Sequence, residues 1–146
     1  MNLFGILDVS GTALDAERQR AEIVASNLAN AETTSTSGGG NYKRQLVVFG
    51  TAPPGGDKFA QAMSRFGEPH VRGVRVEKVV QDKSPAVRRY EPGHPDADED
   101  GYVSFPNINP VEEMVNLMGA SQAYQLNVAA AQATKSMISE SIQILT

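Results

Sequence analysis

The chain has no cysteine, no tryptophan and only two histidines among its 146 residues. Without cysteine there is no disulfide framework and no thiolate metal site. Aromatic residues make up 6% of the sequence, so large core-filling side chains are scarce, while Ala, Ser, Gly, Asn and Gln are plentiful. There is no excess of positive charge: 13 Lys and Arg face 17 Asp and Glu, a net charge of −4, which argues against nucleic acid as the main partner. No apolar run approaches the roughly 20 residues that span a bilayer. The apolar run at residues 3–7 has no Lys or Arg before it and is too short for a secretory signal. The expectation is a chain that stays in the cytoplasm or leaves by a route that reads no cleavable signal.

The two ends carry the strongest pattern. Leu7, Leu14, Ala21 and Leu28 recur every seven residues, with Leu3 and Val24 in a complementary row that also contains Ser10 and Glu17. No proline interrupts residues 4–30, which read as a helix about 40 Å long. At the other end Leu117, Tyr124, Ala131, Ile138 and Leu145 repeat the period, accompanied by Met114, Val128 and Ile142 and interrupted by Ser121 and Lys135. Asn109 suits an N-cap, Pro110 the first helical position, and Glu112 the N3 position from which a carboxylate reaches back to the cap. A helix over residues 110–145 would be about 50 Å long. Gly119, Ala120, Ala123, Ala129, Ala130, Ala131 and Ala133 allow close backbone approach in its middle. Uncharged amides such as Asn116, Gln122 and Asn127 can hydrogen-bond across an interface without the desolvation cost of a charge.

The middle differs. Residues 32–41 are small and polar, a linker by composition. Strand signals follow at 42–51, around Leu46-Val47-Val48-Phe49, at 71–81, where Val74, Val76 and Val80 alternate with polar residues, and at 85–90. Residues 58–66 read as a short helix or an irregular crossing. Residues 91–110, with prolines at 92, 95, 106 and 110, read as turns. The expected fold class is α+β: long N- and C-terminal α-helices packing together in coiled-coil fashion, with a small β-rich middle of three strands. The expected division is 1–31, 32–109 and 110–146.

Chemistry-bearing patterns are few. Asp96, Asp98 and Asp100 before Gly101 match the first half of a calcium loop, but the twelfth position is Asn107 rather than a bidentate Glu, Pro106 precedes it, and no helix leads in. A solvated turn is the favoured reading. His70 and His94 each lie beside a proline with no metal-ligand spacing. The glycines at 38–40 and 55–56 lack the Lys-Ser/Thr of a phosphate loop. The reading is therefore no catalytic residue, no cofactor, no metal and no small-molecule substrate. Charge is segregated: residues 72–89 hold six basic side chains against two acidic ones, and residues 91–100 hold five acidic and no basic ones. The two blocks can pair within one domain or between neighbouring subunits.

The segment from Ala25 through Ser26, Asn27, Leu28, Ala29, Asn30, Ala31 and Glu32 to Thr33 resembles the A-x-N-(L/I)-A-N-x-x-T signature of flagellar rod and hook proteins. The run Asn109, Pro110, Val111, Glu112, Glu113, Met114, Val115, followed by Ala123, Tyr124, Gln125 and Asn127, resembles the terminal helix of the same family. Gly93-His94-Pro95-Asp96-Ala97-Asp98, then Gly101-Tyr102-Val103 and Pro106-Asn107, is typical of its proximal-rod branch. Gln122 stands where relatives often have Arg, and Leu126 where Ala is common. The resemblance implies a structural subunit of the basal-body rod, within the periplasm, which polymerises through its terminal helices and transmits torque for motility. Its partners would be further copies of itself, other flagellar rod proteins, the flagellar type III export apparatus and the basal-body ring. The assembly interface would fall on Leu7, Leu14, Ala21, Val24, Asn27, Leu28, Asn30, Met114, Leu117, Tyr124, Asn127, Val128, Ala131, Ile138, Ile142 and Leu145. The alternatives are another rod or hook paralogue, or a cytosolic coiled-coil adaptor or export chaperone.

Overall fold

A computed structural model describes residues 3–51 and 72–144. The expected element at 58–66, His70 and Leu145 lie outside the described residues. The chain is α+β. Helix α1 spans Leu3–Ala29, strands β1 (Gln45–Thr51), β2 (Val74–Gln81), β3 (Val87–Tyr90) and β4 (Tyr102–Phe105) follow, and helix α2 spans Pro110–Ile144. The helices form where the sequence is proline-free, rich in good helix formers and apolar at helical spacing. Strands pair as β1 with β2 and β3 with β4, giving two two-stranded sheets.

Among the described residues four strands are present where the sequence suggested three. The addition is β4, inside the stretch read as turns. It is only four residues long and is hemmed by Gly101 and Pro106, so its alternation is too short to register. Its pattern is nevertheless regular: Val103 and Phe105 point inward and are buried, while Tyr102 is exposed.

The described residues group into two compact units. One comprises Arg20–Val47 and Val79–Gly119. Here β3 and β4 form an antiparallel hairpin, with Val87 opposite Phe105 and Tyr90 opposite Tyr102. The connection between them is a chain of turns: the Glu91 amide donates to the Gly101 carbonyl, Asp98 to Tyr102, and Gly101 back to Asp98, all at 2.8–2.9 Å. Gly101 has φ of +78°, and a Cβ on it would fall 2.9 Å from the Tyr90 ring, so both backbone and space require glycine. Arg89 lies over the Phe105 ring at 4.7 Å and Arg88 over Tyr102 at 5.2 Å, covering the short strands with cations.

The other unit draws on residues 3–19, 48–51, 72–78 and 120–144. Its buried side chains are small: Ser10, Ala16, Ala120 and Thr134. Thr134 meets its own need by donating to the Ala130 carbonyl at 2.9 Å. Thr12 joins α1 to the start of β2, donating to the Val9 carbonyl and accepting from the Val74 amide at 3.2 Å.

Candidate functional site: a buried clasp and the outward face of the last helix

The two signatures quoted above meet in space. Asn27, near the end of α1, and Glu113, in the first turn of α2, are each 1% exposed. The Asn27 Nδ2 donates to the Gln45 carbonyl at 2.8 Å, and its Oδ1 accepts from the Gln45 amide at 2.8 Å. The side chain thus pairs with the first residue of β1 as an adjacent strand would. Its second amide proton goes to Glu113 Oε2 at 3.0 Å, and Oδ1 also accepts from the Tyr42 hydroxyl at 3.2 Å. Two donors and two acceptor sites are the full capacity of an asparagine, and all four are used.

Glu113 is held from the other side by Arg44, whose Nε and Nη2 both reach Oε1, at 3.0 and 2.5 Å. A buried carboxylate is tolerated only when paired and hydrogen-bonded. Burial on its own would lower the Arg44 pKa. The hydrogen bond and charge of Glu113, then those of Glu112, outweigh it and raise the guanidinium above its usual value. Arg44 is therefore charged throughout.

Local sequence positions each member. Asn30 ends α1 by donating Nδ2 to the Ser26 carbonyl at 2.9 Å while its Oδ1 accepts from the Thr33 hydroxyl at 3.1 Å. The signature residues Asn27, Asn30 and Thr33 thus carry out a bridge and a helix stop. Asn109 caps α2, its Oδ1 accepting from the Val111 amide at 3.1 Å. Glu112 departs from expectation: its Oε1 accepts from Arg44 Nη2 at 3.1 Å rather than serving the cap. A guanidinium already fixed by Glu113 is the stronger lure for a carboxylate. Arg44, Tyr42 and Gln45 belong to this cluster although nothing in their local sequence marks them.

On α2, Leu117, Ala131 and Ile138 are half-buried and Tyr124 is exposed. In the row expected beside them, Met114 and Ile142 are exposed and Val128 is half-buried. The row facing the chain's own interior runs one residue earlier, through Glu113, Ala120, Asn127 and Thr134, of which Asn127 is half-buried and the others buried. Small and internally bonded side chains fit inside, which leaves the large apolar ones outside. Val111 is 67% and Met118 63% exposed, with Val115 and Leu126 similarly bare. On α1, Val24 and Asn27 are buried, and Leu7, Leu14, Ala21, Leu28 and Asn30 are half-buried.

The aspartate turn is bound to its surroundings. Asp96 Oδ2 accepts from the Thr34 hydroxyl at 2.6 Å, and Asp98 Oδ2 from Arg88 Nη2 at 2.7 Å. His94 Nδ1 accepts from the Asp96 amide at 3.1 Å, closing the turn. Among the described residues no group of three or more His, Asp or Glu side chains converges as a metal site would require. One basic and one acidic residue of the segregated blocks, Arg88 and Asp98, pair within the chain.

A long N-terminal helix and a long C-terminal helix, clasped where two signature segments meet, define a flagellar axial protein. Residues 7–35 match the family described as Flagella basal body rod protein, and residues 99–144 match Flagellar basal body rod FlgEFG protein C-terminal. The chain is 38% identical to the Flagellar basal-body rod protein FlgC of Borreliella burgdorferi, over 99% of both chains. It is 39% identical to that of Salmonella typhimurium, over 99% of this chain and 98% of the relative, and 37% identical to that of Bacillus subtilis, over 99% of both. The chain belongs to the FlgC family of flagellar basal-body rod proteins.

Proposed function

We propose that this chain is a structural subunit of the proximal flagellar rod. It polymerises with copies of itself and with other rod proteins into the periplasmic shaft that passes torque outward for motility. The observation that carries this reading is the outward stripe of α2. Val111, Val115 and Met118 follow one another at helical spacing, and Leu126 continues the row after Gln122. Exposed apolar side chains on one face over about 22 Å of helix, broken once by Gln122, are suited to burial against neighbours. Leu7, Leu14, Ala21, Leu28, Leu117, Tyr124, Ala131 and Ile138, none of them fully buried in the single chain, supply the rest of the assembly surface. In functional terms residues 1–31 and 110–146 act as the axial helices and 32–109 as the linker and β-rich middle. Delivery by the flagellar type III export apparatus and seating against the basal-body ring complete this reading of a FlgC-family chain. The reading requires no catalysis.

Quantitative mass spectrometry of purified hook–basal bodies tests it. The expected result is this chain at a small fixed ratio to the other rod proteins, with loss of rod completion and motility on clean deletion. Absence from basal bodies, with abundance in the soluble cytoplasm, would overturn the rod reading in favour of an adaptor or chaperone.

A further inference from the structure

A polar groove of about 280 Å³ opens at the end of the β3–β4 hairpin where the strands begin and finish. Pro85 and Ala86, just before β3, and Asn107, just after β4, line it together with Lys43, Arg44 and Lys83. Arg44 is already engaged by Glu112 and Glu113. Asp82 also lines the groove, but its carboxylate accepts from the amide and hydroxyl of Ser84 at 2.9 and 2.8 Å. Lys43 and Lys83 are exposed and have no ion-pair partner among the described residues. The groove therefore offers two ammonium groups, Lys43 and Lys83, against one carboxylate, Asp82.

The opposite end of the same hairpin is acidic. Beyond the Tyr90–Tyr102 pair lies the turn containing Asp96, Asp98, Glu99 and Asp100. Asp96 and Asp98 are held by Thr34 and Arg88, which fixes the shape of the turn. Glu99 and Asp100 are exposed and without an ion-pair partner among the described residues. Each strand has four residues, so the two ends stand about 10 Å apart along a hydrogen-bonded pair of strands. A chain cannot fold its own tip back into its own groove without tearing up that hairpin.

We propose that the groove of Lys43 and Lys83 receives Glu99 and Asp100 from the hairpin tip of a second copy of this chain. The contact deepens the rod-subunit reading, on which it rests, by naming a surface away from the terminal helices. Because the two patches differ, the contact is heterologous: each copy that fills a neighbour's groove presents its own groove to the next, so the arrangement runs on around the shaft. Complementary charge at this contact fixes which copies meet and in what register, while apolar helix faces supply the burial.

The absence of cysteine makes the test direct. Full-length chain carrying Lys83→Cys and Asp100→Cys together is expressed in place of the wild type, and basal bodies are oxidised and resolved without reductant. The expected result is a ladder of cross-linked multimers beyond the dimer, which neither single-cysteine chain produces. Basal bodies that contain the chain in normal amount but give no ladder, or that link it to a different protein, would overturn the inference while leaving the rod reading intact. Absence of the wild-type chain from basal bodies would instead remove the rod reading and the inference with it. A charge exchange covers variants that assemble poorly. Lys43→Glu with Lys83→Glu, and separately Glu99→Lys with Asp100→Lys, should each cut swarming several-fold, and the four changes combined should recover at least half of it. No recovery in the combined chain would refute the pairing.

Discussion

The inner and outer faces of α2 reverse the usual order of a globular helix. Inside lie Glu113, Ala120, Asn127 and Thr134, which are polar or small; outside lie Val111, Val115, Met118 and Leu126, which are large and apolar. The inner face is stabilised by specific partners. Glu113 has Asn27 and Arg44, and Thr134 has the carbonyl of Ala130. The outer face has its hydrophobic surface still to bury. A single chain thus completes its polar pairing by itself and leaves its apolar pairing for neighbours, which is the division of labour expected of a polymer subunit.

The difference can be broken or sharpened by substitution. Glu113→Ala should have the largest effect on the isolated protein, a loss of about 3 kcal/mol, because it leaves one proton of buried Asn27 without its acceptor and half-buried Arg44 with Glu112 alone. Urea unfolding followed by circular dichroism measures it, and Glu113→Gln, which keeps the shape and an acceptor, should lose less. Ala120→Leu tests the small-residue part of the inner face. With Ala120 1% exposed, the added side chain has no room and should cost about 2 kcal/mol in the same experiment. Asn109→Ala removes the cap at the head of the helix and should cost about 1 kcal/mol. Met118→Asp and Leu126→Asp should change the unfolding free energy by less than about 0.5 kcal/mol, since both positions face solvent in the single chain. The same pair should abolish incorporation into basal bodies. Normal incorporation would show that the outer face is not the surface through which the subunit polymerises.

Much of the fold could be read in advance, and the reasons differ by element. Both helices announce themselves through a seven-residue period free of proline, and Asn109 marks the start of the second. Strands β1 and β2 follow stretches rich in Val, and β3 the short segment from Val87 to Tyr90. Strand β4 escapes because Tyr102 to Phe105 is too short for its alternation to stand out between a glycine and a proline. The buried row of α2 escapes for a different reason. Periodicity picks out Met114, Val128 and Ile142 for an assembly interface and leaves unmarked the row of Glu113 and Asn127, which turns inward because of bonds that no local pattern encodes. Asn27 and Asn30 stand out in the sequence as part of a signature, yet their work, pairing with a strand and stopping a helix, depends on residues 15 to 86 positions away and on neighbours three or four positions along the chain. Arg44 carries no mark at all, because its role is set only once α2 has arrived.

The clasp also sets an order in time. Asn27 and Glu113 are 86 residues apart, and Arg44 and Glu113 are 69 apart. A chain that emerges from its N-terminus presents the asparagine and the arginine long before the carboxylate that satisfies them. Until the last quarter of the sequence is out, the end of α1 and the start of β1 have no anchor for their charge, and closure over so long a loop is slow compared with forming either helix. Closing the clasp is therefore a late step of folding, when a single glutamate joins three segments far apart in the chain.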